Sequence, residues 1–130
     1  MKLLYLPLLA LLLFPASPTD TVDTVAQLIG KGAVHEIAKL FPAEVEIGVP
    51  GTEQDTYTRA AAQGILEKFF AQNKPLNIKI LHKINNGSAF QYGVVILSTA
   101  KGPYRVSFNL KSENSNVQLI KLLIELEKVR

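Results

Sequence analysis

The chain of 130 residues has no cysteine, no tryptophan, one methionine and two histidines. Without cysteine there is no disulfide, no thiol catalysis, no thiolate-bound zinc and no lipid anchor on an N-terminal cysteine. His35 and His82 stand far apart with no HxH or HExxH spacing, so the sequence supports neither a metal site nor a cofactor. Charge of one sign is scarce as well. The net formal charge is +3, and of the 14 basic residues only Lys2 lies in the first 18, so the remainder carries 13 basic against 11 acidic residues, or +2. Nucleic-acid binding asks for a clustered basic footprint that this balance does not supply. No low-complexity tract interrupts a hydrophobic share of 48%, which suits one globular domain with one modest core.

What is present begins with an address. MKLLYLPLLALLLFPASP places Lys2 before an apolar run of 12 residues, Leu3 to Phe14, followed by small and turn-forming residues. That is the plan of a secretory signal peptide over 1–18, with cleavage between Ala16 and Thr19. Spanning a bilayer as helix takes about 20 residues, so no stable membrane anchor is expected after cleavage. The mature domain, 19–130, is expected to be periplasmic or secreted.

Along the mature chain, Val22, Val25, Leu28 and Ile29 recur at helical spacing behind a capping Asp20 or Thr21, and Gly30 and Gly32 end that helix. Val34, Ile37, Ala38 and Phe41 mark a second short helix closed by Pro42. Val45, Ile47 and Val49 alternate with Glu44, Glu46 and Gly48, as in a half-buried strand. In VPGTEQDTYTR, Pro50 and Gly51 fit the two corners of a type II turn, and Thr56 and Tyr57 lead back to a helix capped by Thr58. The pattern GxxxxGK[ST] is missing, so the stretch reads as a turn and not as a phosphate loop. Ala62, Ile65, Leu66, Phe69 and Phe70 form a broad helical stripe. Gly64 within it costs about 1 kcal/mol relative to alanine, which is expected to be offset by a close contact with the sheet.

The remainder is strand-rich. LNIKILHKI puts Leu76, Ile78, Ile80, His82 and Ile84 on one face and Asn77, Lys79, Leu81 and Lys83 on the other. Asn86-Gly87 is a hairpin turn that also reads as a glycosylation sequon, with the turn preferred. AFQYGVVILS returns, TAKGP turns, and YRVSFNLK alternates Tyr104, Val106, Phe108 and Leu110 with Arg105, Ser107, Asn109 and Lys111. The tail VQLIKLLIELEKVR fits a helix by propensity and a central strand by its two apolar faces.

The segments GKGAVHEIAKLFPAEVEI and YTRAAAQGILEKFFAQN, and the order of elements, resemble the nuclear transport factor 2-like (cystatin-like) superfamily. Tyr57-Thr58-Arg59, Ile65-Leu66-Glu67-Lys68-Phe69-Phe70, His82, Gln91-Tyr92-Gly93 and Gly102-Pro103-Tyr104-Arg105-Val106 resemble, more narrowly, the exported bacterial family called domain of unknown function 4783 (DUF4783). The resemblance implies an α+β fold: a curved antiparallel sheet packed around a long helix, two short N-terminal helices, a cone-shaped cavity and a final strand for the tail. Members of such folds include isomerases and dehydratases, binders of small molecules and dimerising scaffolds, so fold does not choose function.

Five residues are candidates for chemistry. His82, among isoleucines, would be a neutral base or else a core histidine satisfied by the backbone. Tyr92 and Tyr57 would donate hydroxyls into the cavity or pack at its rim. Asp55 would be a carboxylate base if buried, and otherwise an ordinary hairpin residue, with Glu46 in the same position on an exposed face. Lys79, Lys83, Arg105 and Lys111 would form a basic sheet face for anionic partners, or a solvated surface. Arg105, Ser107 and Asn109 suit a homodimer surface equally. The sequence favours a non-catalytic domain that binds a small apolar ligand or a protein partner through its cone or sheet face. The alternative is an isomerase or hydro-lyase using His82 with Tyr92, Tyr57 or Asp55.

Overall fold

A computed structural model describes residues 20–85 and 89–128. The expected leader and the Asn86-Gly87 turn lie outside them. The N-terminal helix α1 (Thr21–Lys31) starts where the Asp20 carboxylate accepts from the Val22 amide at 2.9 Å and buries Val22, Val25, Ala26 and Ile29. Gly32, not Gly30, stops it. Gly32 adopts φ 63°, and the amides of Gly32 and Ala33 reach back to the carbonyls of Ile29 and Leu28, satisfying the last turn as a glycine in the left-handed region allows. The short α2 (Val34–Ala38) follows, and Phe41 just beyond it is buried.

Strands β1 (Glu44–Val49) and β2 (Thr52–Thr58) pair as a hairpin across Pro50 and Gly51, and Gly51 takes φ 87°, the sign the second corner of a type II turn needs. The Thr58 hydroxyl accepts from Ala61 N to cap α3 (Arg59–Gln72), which buries Ala62, Leu66, Phe69 and Phe70. Arg59 ties this start to the preceding loop, donating from Nε and Nη2 to the Phe41 carbonyl at 3.1 and 2.9 Å. Then β3 (Pro75–Ile84), β4 (Phe90–Thr99), β5 (Gly102–Glu113) and β6 (Asn116–Leu126) run as an antiparallel meander.

The tail is therefore a strand: Leu119, Leu122 and Ile124 are buried, and sheet pairing outweighs the helix propensity of its Leu, Glu and Lys. Between β5 and β6, Asn114 and Ser115 adopt φ 50° and 69°, as a two-residue hairpin turn with both corners left-handed requires.

The six strands lie in the order β2-β1-β6-β5-β4-β3. The sheet is not wholly antiparallel, because β1 and β6 run parallel through Glu46, Ile47 and Gly48 opposite Lys121, Leu122 and Leu123. Hairpins force opposite directions only on strands adjacent in sequence, and these two are separated by most of the domain. Nor is the sheet wrapped around a single helix. One face is shared: α1 packs on β3 and β4, and α3 on β1 and β2. Ile47, Leu97, Val106, Phe108 and Leu122 supply the sheet's part of the core between them. Among the described residues no helix packs on the opposite face, called the open face below. Among the described residues no helix is long and apolar enough to cross a membrane.

Candidate functional site

A bulge decides where two of the expected residues go. Ile80 pairs with Val95 and His82 with Val94, so Leu81 is an extra residue in β3, and one extra residue exchanges the faces of everything beyond it. His82 thus leaves the isoleucine face and stands exposed on the open face. Lys83 is turned the other way, over α1, where its ammonium lies 3.2 Å from Asp20 and 3.1 Å from Asp23.

This latch has more members. The Asp20 carboxylate also accepts from Asn85 Nδ2 at 2.8 Å, and the Asn85 amide oxygen accepts from Gln91. Desolvation pushes the Asp20 pKa up, but the hydrogen bonds from Asn85, Val22 and Lys83 and the Lys83 charge outweigh it and hold the pKa below its ordinary value. Hydrogen bonds to Asp23 and Asp20 hold Lys83 above its own.

The other candidates do not converge. Tyr92 is half-buried on the open face, two residues along β4 from the partner of His82, a diagonal spacing of about 7–8 Å. Tyr57 and Asp55 lie on β2, at the far edge of the sheet, and five strand spacings separate the edges by roughly 24 Å along the sheet. The Tyr57 hydroxyl donates to the Glu53 carbonyl. Asp55 is exposed and accepts from the Thr56 amide at 2.7 Å. Glu46, on the open face, accepts from Gln54 at 2.7 Å and lies 3.6 Å from Lys121.

The basic face is divided in the same way. Lys79, Arg105 and Lys111 share the open face through their pairing with Ile96 and Phe90 on β4, but Lys83 is on the helix side. Arg105 is bonded to Glu127 at 3.4 Å and Lys111 lies 3.7 Å from Glu113. Of the three on the open face, Lys79 alone has no acidic partner among the described residues, and one cation is not a stripe.

The concavities are elsewhere, on either side of the tip of the β1–β2 hairpin. Pairing of β1 with β6 ends at Gly48, and beyond it the strands leave a slot of about 300 Å³ lined by Gly48, Pro50, Gln54, Leu123, Glu125 and Leu126 among others. The second hollow, of about 400 Å³, lies on the helix side between α3, the hairpin tip and the β4–β5 turn. One α3 face lines it with Ile65, Lys68, Phe69 and Gln72, at i, i+3, i+4 and i+7. Val49, Pro50 and Thr52, at the hairpin tip, line both.

At the base of the larger hollow, the Tyr104 hydroxyl donates to Asn73 Oδ1 at 2.8 Å and Asn73 Nδ2 donates to the Phe69 carbonyl at 2.9 Å. The Tyr104 ring meets Phe69 edge-on at a centroid distance of 5.0 Å, the geometry that aromatic quadrupoles favour. These contacts fix the α3 end against β5. At the rim, Lys101 sits in a two-residue turn braced by Thr99, whose Oγ1 accepts from the Lys101 amide at 3.1 Å and donates to the Gly102 carbonyl at 2.7 Å. Sequence reading missed Lys68, Lys101, Asn73 and Tyr104 as a group because they come from two stretches far apart in the chain. The i, i+3, i+4, i+7 set beginning at Ile65 was the one available signal.

A model of the family described as "Domain of unknown function (DUF4783)" matches residues 22–125. Among solved structures, the DUF4783 protein of Bacteroides uniformis ATCC 8492 is similar at 17% identity and a TM-score of 0.76, covering 85% of this chain and 100% of that one. That of Bacteroides fragilis YCH46 is similar at 19% identity and a TM-score of 0.72, with the same coverage. An NTF-2 like protein of unknown function from Silicibacter pomeroyi DSS-3 is similar at 14% identity and a TM-score of 0.59, covering 82% of this chain and 89% of that one. At these identities the likeness fixes the fold alone. No curated protein matches the chain.

Proposed function

The chain belongs to the DUF4783 family, and from that premise we propose that it is an exported, non-catalytic small domain that holds a small ligand in the larger hollow. In this reading the hollow is the cone of a nuclear transport factor 2-like fold, opened between α3 and the hairpin tip. Its size supports the reading, since pockets for small molecules run from about 300 to 1,000 Å³ and combine apolar walls with a few polar groups. The carrying observation is the lining itself: Val49, Pro50, Ile65 and Phe69 supply apolar wall, Asn73 and Tyr104 a polar base, and no histidine or carboxylate is among the lining residues. A proton-abstracting enzyme needs a base within reach of its substrate. His82 and Tyr92 stand on the open face of β3 and β4, outside this lining and across the sheet from Tyr57 and Asp55 on β2, which supports the same conclusion.

The test is to purify the chain from its native host, release small molecules by denaturation and identify them by mass spectrometry. An organic compound released from the native chain, and lost when Ile65→Trp fills the hollow, is the expected result. Equal recovery from both would remove the hollow from consideration. Export has a separate check: N-terminal sequencing of the chain should give a start between residues 17 and 19, and an intact Met1 in a cytosolic fraction would oppose it.

A further inference from the structure

We infer that the ligand of this hollow is a small organic anion, with its apolar body against Ile65 and Phe69 and its charged end held by Lys68 and Lys101. The inference deepens the reading of the hollow as a binding site and rests on it.

The argument is one of unbalanced charge. Lys68 and Lys101 are the charged residues that line the hollow, and they come from different elements, one helix and one turn. Five other cations, Lys39, Lys83, Arg105, Lys111 and Lys121, lie within ion-pair distance of acidic side chains. Lys68 and Lys101 have no such partner among the described residues. Lys31, Lys74 and Lys79 share that lack, but they do not line the hollow; Lys68 and Lys101 bring two such charges to one concave rim whose lining contains no acidic residue. A concave, partly apolar wall strengthens the field of the charges on its rim. Lys101 is also held in place, because the Thr99 hydroxyl braces its backbone and less freedom remains to be lost on binding.

Deeper in, Asn73 Nδ2 spends one N–H on the Phe69 carbonyl and carries a second, so the base offers a further donor to an oxyanion. Charge, donors and apolar wall together describe a carboxylate on an aryl or alkyl body. A cation or a wholly neutral ligand leaves the rim uncompensated.

The probes are 4-phenylbutyrate and 4-phenyl-1-butanol, which share a body and differ in charge. Each is titrated into the ¹⁵N-labelled chain and followed by amide shifts and calorimetry at low and at high salt. Each exposed lysine–carboxylate pair contributes up to about 1 kcal/mol, so the acid should bind about tenfold more tightly than the alcohol at low salt. High salt should erase the difference. Lys68→Ala with Lys101→Ala should bring the acid down to the affinity of the alcohol while leaving the melting temperature unchanged, since both side chains are exposed. Equal affinity of acid and alcohol, with shifts at Ile65, Phe69 and Tyr104, would overturn the anion assignment and keep the hollow as a site. Shifts from neither probe at those residues, or shifts confined to the open face, would overturn the site and the assignment together.

Discussion

Two helices cover one face of this sheet, and they do it differently. Under α1 the fit is closed: a Cβ on Gly93 would lie 2.5 Å from Phe108 Cζ and 2.8 Å from Val22 Cγ1, and one on Gly30 would lie 2.9 Å from Ile78 Cγ2. Glycine lets helix and sheet approach where any side chain would hold them apart. Under α3 the glycine points outward, with nothing within 4 Å of a Cβ on Gly64, and the helix end stands off the hairpin tip by the width of a hollow. The close contact expected at Gly64 is therefore found at Gly30 and Gly93. The lesson is that glycines at the contact, Gly30 and Gly93, let α1 close onto its half of the sheet, whereas the glycine of α3 lies on its outer side and brings no such approach.

The sharpest way to break the comparison is Gly93→Ala. Phe108 and Val22 are fully buried and have nowhere to move, so overpacking should destabilise by about 3 kcal/mol in denaturant unfolding. A neutral result would mean that the α1 half is not tightly fitted. Next comes a pair on adjacent residues of α3. Leu66 is fully buried whereas Ile65 is half-buried beside the hollow, so Leu66→Ala should cost about 3 kcal/mol and Ile65→Ala about 1 kcal/mol. Equal costs would mean that Ile65 is as tightly packed as Leu66.

Gly64→Ala should act with the opposite sign, stabilising by about 1 kcal/mol and raising the melting temperature by about 4–8 °C. A loss of stability there would reveal an unseen neighbour. The smallest effect is the pH dependence of the α1 latch. Because the Asp20 pKa is lowered in the fold, its contribution is present above the ordinary value of 3.8 and fades as pH falls below it. Because the Lys83 pKa is raised, its contribution is present below 10.5 and fades as pH rises above that. Asp20→Asn should flatten the acid limb of a melting-temperature profile, and Lys83→Met the alkaline limb.

Most elements were legible in the sequence because their signals are local. The stripe of α1, the alternation of β5, the Thr58 cap and the Pro50-Gly51 turn each depend on residues a few positions apart. What escaped depends on distant partners. The extra residue Leu81 leaves no mark in composition, yet it moved His82 out of the core and Lys83 onto Asp20 and Asp23. The Arg59 bonds to the Phe41 carbonyl cross 18 positions. Asn114-Ser115 supplies its left-handed corners without the glycine that usually announces them. The larger hollow was the least legible feature, since it is a gap between three segments and no single one of them encodes it.

The parallel contact of β1 with β6 has a consequence in time. It unites a hairpin completed by Thr58 with a meander completed only by the last strand, and the three paired positions are 75 residues apart in the chain. Contacts across such separations form late, because a long loop must close before they repay it. During synthesis the two pieces would exist for a while as separate fragments, each with a bare lateral edge. A chain ending before Asn116 would keep those edges for good, and aggregation would be its expected fate.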